Sequence, residues 1–205
     1  MASLFDMIID ATAAATGLPR TDVFAVARVL RENEKRLFPR LPRTAKAQFV
    51  PDEAIARLVL GVMFRRPATK APEFLAELAE AEMTEASRKR LAEALPIEDF
   101  PALNDLLVPQ LDLIEALAAI IRTARNAPTV FEERAFNSVL ELDLLRRSAE
   151  IYLEIDARTP LKYAVRTHLE FEPARQFHRG GLKHTARLPL RAVCQIADAA
   201  ERTPE

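Results

Sequence analysis

The chain reads as an α+β protein: a helical first part, an antiparallel sheet of three to four strands, and a closing helix. Three observations predict this. Up to about residue 125 apolar residues recur at helical spacing; from about 136 they alternate; from Pro189 helical spacing returns. With 205 residues and 49% hydrophobic content, the chain can bury a sizeable core as one large domain or two small ones.

Taken in order, Leu4, Met7, Ile8 and Ala11 or Thr12 make the apolar face of a first short helix. Gly17 then supplies a residue that tolerates positive φ, and Leu18-Pro19 opens a second helix with proline in its first turn. From Thr21 to Asn33 there is no Gly or Pro, and Val23, Val26, Ala27 and Leu30 form a stripe to bury. Arg20, Phe24, Arg28 and Arg31 fall on another side, so a core-sized ring stands among three cations on a face expected to be wet.

Leu37-Phe38-Pro39-Arg40-Leu41-Pro42-Arg43 has too many prolines for regular helix, and Ala47–Val50 reads as a short extended piece. A helix opening at Pro51-Asp52-Glu53 should bury Ile55, Leu58, Val59 and Val62. These elements make a module over 1–66. The stretch from Arg65 to Pro72 reads as a linker, and 73–205 as a second unit.

That second unit starts with helices near 73–82 and 84–94, then 101–108 and 110–125, which Pro109 separates. Strands follow around Val139–Leu145, Ile151–Ile155, Val165–Phe171 and Leu182–Leu188, and a helix closes the chain from Pro189 to Glu201. Of these, 139–145 also suits a helix, through Val139, Leu142 and Leu145.

Net charge is only −1, yet it is unevenly spread. Residues 18–46 carry Arg20, Arg28, Arg31, Lys35, Arg36, Arg40, Arg43 and Lys46 against Asp22, Glu32 and Glu34. Residues 73–115, by contrast, are strongly acidic, with Arg88, Lys89 and Arg90 as their cations. One end would attract phosphate and the other repel it. The single Cys194 excludes an internal disulfide and fits a reducing cytoplasm; no signal peptide or membrane span is expected.

Several chemistries lack their residues. Gly17, Gly61, Gly180 and Gly181 form no phosphate-binding loop. His168, His178 and His184 include no short ligand pair, so no metal site is expected, and Ser138 and Ser148 lack a nucleophile elbow. The carboxylates of 73–115 read as a solvated face. An enzyme is not expected, nor a cofactor. The basic tip around Phe177 and Gly180-Gly181, with Arg175, His178, Arg179, Lys183, His184, Arg187 and Arg191, reads first as a solvated turn and second as a further nucleic-acid contact or a patch for an acidic partner.

Ala13, Gly17, Leu18, Val23 and Val26 stand at the spacing of a helix-turn-helix, and the region resembles that motif in bacterial DNA-binding regulators. In the motif a small residue sits where two helices nearly touch, glycine makes the turn, and the valines seat the second helix on the first. The resemblance implies that the second helix enters the major groove with Arg20, Thr21, Phe24, Ala25 and Arg28. Arg31, Lys35 and Arg36 would extend that surface, and Arg40, Arg43 and Lys46 would meet phosphate or the minor groove from a wing-like arm.

Gly17-Leu18-Pro19-Arg20, Ala27-Arg28-Val29-Leu30-Arg31, Leu37-Phe38-Pro39-Arg40 and Pro51-Asp52-Glu53-Ala54 are also similar to small alphaproteobacterial activators of prophages and gene transfer agents. That likeness is confined to residues 17–54, and Leu41-Pro42 stands where those proteins have a glycine-rich loop. It implies promoter binding and activation. The partners expected are double-stranded DNA, a second copy of the chain, and RNA polymerase or another regulator through 73–205. Two rivals share these features: a phage DNA-packaging or replication-initiation component, and a protein-interaction adaptor gripping an acidic partner through Phe24 and its arginines.

Overall fold

A computed structural model describes residues 3–41, 50–64, 67–94, 101–126, 138–144, 148–156, 164–173 and 185–200. The fold is α+β, as the change of apolar period predicts. Helix α1, Leu4–Thr16, starts at Ser3, whose hydroxyl accepts the Asp6 N–H at 3.2 Å. It ends at Gly17, where φ is +66° and the N–H donates to the Ala13 carbonyl at 2.9 Å. Helix α2, Arg20–Glu32, follows after a three-residue turn and buries Val23, Val26, Ala27 and Leu30.

Helix α3, Asp52–Met63, is the centre of the helical layer: from Ala54 to Met63 every residue but Arg57 is buried. Its Gly61 explains how α2 comes so close. A Cβ there would meet Val26 Cγ1 at 3.2 Å and Leu30 Cδ1 at 3.6 Å, so the missing side chain makes the space α2 occupies. A 3₁₀ turn, Ala68–Lys70, runs directly into α4, Ala71–Leu78, and α2 touches both.

Chain 73–82 is not one helix. After Leu78 the backbone becomes strand β1, Ala81–Met83, with Ala81 and Met83 buried and Glu82 exposed. Ala, Glu and Met favour helix, but pairing with a long strand overrides that local preference. Helix α5, Glu85–Ala94, follows, and then a 3₁₀ segment, Pro101–Leu107, in place of the expected 101–108 helix. Pro109 marks a full break: Gln110 takes φ +60° and the chain restarts as α6, Leu113–Asn126. Asp112 and Glu115 form a reciprocal cap there, each side chain accepting the other's backbone N–H, at 2.8 and 3.3 Å.

Strands β2 (Val139–Asp143), β3 (Ser148–Asp156), β4 (Ala164–Pro173) and β5 (Thr185–Pro189) complete an antiparallel sheet ordered β1-β4-β3-β2-β5. Segment 139–143 is strand rather than helix because partners flank it on both sides, β3 and β5. Three successive strands run β2-β3-β4, and β5 returns to lie beside β2, a Greek-key order. Leu140, Leu142, Ala149, Ile151, Ala186 and Leu188 fill the inner face. Helix α7, Leu190–Ala199, leaves β5 at Pro189 and is pinned by the Leu190 N–H on the Ser138 carbonyl at 2.9 Å.

One apolar core runs across the expected boundary between 1–66 and 73–205. Helix α1 packs on α7, α3 on α6, and α6 on α7, so the first and last helices are neighbours. A half-buried ion network joins the same halves. Arg125 near the end of α6 donates to Asp52 at the start of α3 and to the Val50 carbonyl, while Arg122 bridges Asp52 and Asp105. Among the described residues no helix is long and apolar enough to cross a membrane.

Candidate nucleic-acid interface

The helix-turn-helix signature and the basic residues after it lead to α1, α2 and the turn behind them. Helix α2 divides as its periodicity predicts. Val23, Val26, Ala27 and Leu30 point inward, while Thr21, Phe24 and Arg28 are exposed and Ala25 is half-buried at the margin. Of the inward valines, Val26 packs against Gly61 of α3, while α2 also packs on α1.

Phe24 is 37% exposed and is not isolated. Its ring meets the Phe5 ring edge-on, at a centroid distance of 5.7 Å, and Phe5 in turn meets the buried Phe38 at 6.2 Å. Arg31 lays its guanidinium over the Phe5 ring at 5.2 Å. The outer surface of α1 and α2 is therefore an aromatic ridge with an arginine folded over it.

Arg20, at the head of α2, is committed within the chain. Its Nε donates to Asp10 at 2.6 Å and its Nη2 to Asp6 at 2.5 Å. Asp10, then Asp6, raise the guanidinium's affinity for its proton. The Asp6 carboxyl is held below its ordinary range, first by the Ser3 hydroxyl and then by Arg20. Arg28 likewise pairs with Glu32 at 2.9 Å, one helical turn on, and Thr21 faces Asp22 at 3.5 Å.

The cations of α2 are thus offset from two helices. Arg20, Arg28 and Arg31 stand with Asp22 and Glu32 on α2 itself, and α1 adds Asp6 and Asp10. The excess of cations belongs to Lys35, Arg36, Arg40, Arg43 and Lys46. Lys35, Arg36 and Arg40 are exposed; Arg43 and Lys46, with the expected extended piece and its wing, lie outside the described residues.

The start of that basic stretch is firmly built. Asn33 closes α2, its side chain accepts the Lys35 N–H at 3.0 Å, and its carbonyl accepts the Arg36 N–H at 2.8 Å. Arg36 adopts φ +48°, a left-handed turn that reverses the chain. Phe38 then plugs into the core at 0% exposure, and its N–H donates to the Leu30 carbonyl at 3.3 Å. Lys35, Arg36 and Arg40 therefore project from a fixed turn beside the end of α2.

Sequence reasoning left Phe5, Asp6 and Asp10 out of the site. Asp6 and Asp10 are one turn apart on α1, and that spacing was the available signal for a cation between them. The basic tip around Phe177, and His168, His178 and His184 with it, gives no side chain to weigh: these positions lie outside the described side chains. Arg187 and Arg191, the described members of that group, are exposed. Among the described residues no group of His, Cys, Asp and Glu is arranged to hold a metal ion. Compared with protein-family models, with curated proteins and with solved structures, the chain finds no match.

Proposed function

We propose that the chain is a sequence-specific DNA-binding transcription regulator of helix-turn-helix type, with α2 as the groove helix and the turn after it as a phosphate clamp. One observation carries this reading: a three-residue turn led by Gly17 at φ +66° presents an α2 whose outer face is exposed and whose exit carries fixed, exposed Lys35, Arg36 and Arg40. Thr21, Ala25 and Arg28 are then the residues nearest base edges, and Arg31 and Lys35 to Lys46 supply phosphate contacts. Arg20 has a different part. With both its forks occupied by Asp6 and Asp10, it fixes α2 on α1 rather than reading a base.

Incubating the chain with a pool of random duplexes and sequencing what it retains tests this proposal. A short enriched motif is the expected result; a retained pool with no enriched motif is not compatible with sequence-specific regulation. A second reading, a protein-interaction adaptor, is favoured by the Phe5–Phe24 ridge and by the offset of the α2 cations by Asp6 and Asp10 of α1. It expects no duplex retention at any salt concentration.

A further inference from the structure

A surface cavity of about 440 Å³ lies where the turn after α2 meets the starts of α3 and α6 and the length of α4. Cavities of this size hold small organic molecules. Its floor is apolar, built by Leu37, Pro72, Leu75 and Ile114, with Ala76 and Ala79 on one wall. Its rim is acidic: Glu34, Glu53, Glu73, Asp112 and Glu115 stand against Lys35 and Arg57.

The rim's own pairings leave that charge in place. Arg57 is matched by Glu53 at 2.9 Å, and Glu73 by Lys70 at 2.8 Å. Asp112 and Glu115 take backbone N–H groups of the α6 cap, which satisfy hydrogen bonds and add no full positive charge. Burial, with the Glu115 carboxylate beside it, pushes the Asp112 carboxyl above its ordinary range, against the backbone N–H groups and Arg57 that favour its charge. A cation placed beside it would relieve that cost.

We propose that this cavity binds a small organic cation, a protonated amine or guanidinium on a short apolar body. The body would lie on Leu37, Leu75 and Ile114, and the charged head would sit among Asp112, Glu115 and Glu34. An inorganic cation would leave the floor unused, and an organic anion would face the acidic rim. The inference does not rest on DNA binding, although Glu34, Lys35 and Leu37 of the cavity belong to the same exit turn as the proposed phosphate clamp.

Calorimetric titration of the full chain with hexylammonium chloride, and separately with sodium hexanoate, tests it. Saturable binding of one hexylammonium, with none of hexanoate, is expected. Asp112→Asn keeps a side-chain oxygen to cap α6 and removes the charge, and should weaken binding on the order of tenfold. Glu34→Gln, on an exposed turn, should weaken it in the same direction with no change in melting temperature. No saturable heat, equal binding of hexanoate, or unchanged affinity in both variants would overturn the proposal.

Discussion

Arg20 Nε lies 2.6 Å from Asp10 Oδ1, and the same guanidinium reaches Asp6 one turn further up α1. The residue that the motif places foremost at a groove is thereby the clasp between the two helices. Three consequences can be measured at once. Asp6→Asn combined with Asp10→Asn removes two anions from the head of α2 and frees Arg20. Duplex retention at low salt should rise about fivefold, since each removed repulsion across several ångströms of water is worth roughly half a kcal/mol. Arg20→Ala should lower melting temperature and change retention little. A filter-binding series with melting curves reads all three.

Gly61 should be the least replaceable residue of the α2–α3 contact. Gly61→Ala gains helix propensity but pushes a Cβ to 3.2 Å from Val26 Cγ1, so the two effects, each about 1 kcal/mol, oppose each other. Gly61→Leu has no such compensation and should destabilise by about 3 kcal/mol. Urea unfolding of both variants checks the ordering.

Asp52 and Arg125, with side chains 9% and 5% exposed, join α3 to α6. Burial outweighs the neighbouring arginines and holds the Asp52 carboxyl above its ordinary range, so ionised Asp52 contributes less than its contacts suggest. Asp52→Asn keeps an acceptor for Arg125 and should cost about 1 kcal/mol or less. Asp52→Leu sets an alkyl group against a buried guanidinium and should cost about 3 kcal/mol. The native chain should also lose stability as pH rises from the ordinary aspartate value through the raised one, because the folded state holds that proton longer. Asp52→Asn should lack this step.

Tyr152 donates its hydroxyl to Glu150 at 2.7 Å, and this carboxylate, with burial and Glu141, pushes its pKa up to about 12. The folded state then keeps a phenolic proton that the unfolded chain gives up near 10. Its stabilising share is whole below pH 10 and is lost as pH rises towards 12. Ultraviolet titration of the native chain should show this late phenol, and Glu150→Gln should bring it back towards 10.

Most of the fold was legible because it rests on local pattern. The inward stripe of α2, the turn at Gly17, the caps at Pro51 and Pro189 and the alternating strands all come from residues near one another. What was hidden depends on distant partners. Strand β1 exists because β4 pairs with it, with Glu82 opposite Glu172, and nothing in Ala81–Met83 announces a strand. The shared core of α1 and α7 joins the two ends of the chain, a contact that no local pattern announces. The exposed residues of α2 were legible from period alone; their charge was not, because Asp6 and Asp10 come from the preceding helix.

The central claim is that the exposed surface of α2 and its exit turn meets duplex DNA. Retention of a labelled duplex across a salt series, by the native chain and by Lys35→Ala/Arg36→Ala/Arg40→Ala, tests it most directly. Each phosphate contact contributes a slope of about 0.9 in log affinity against log salt, so the triple variant should bind more weakly and lose roughly 2 to 3 units of slope. Retention that is absent at low salt, or a slope unchanged by the three substitutions, would contradict the account.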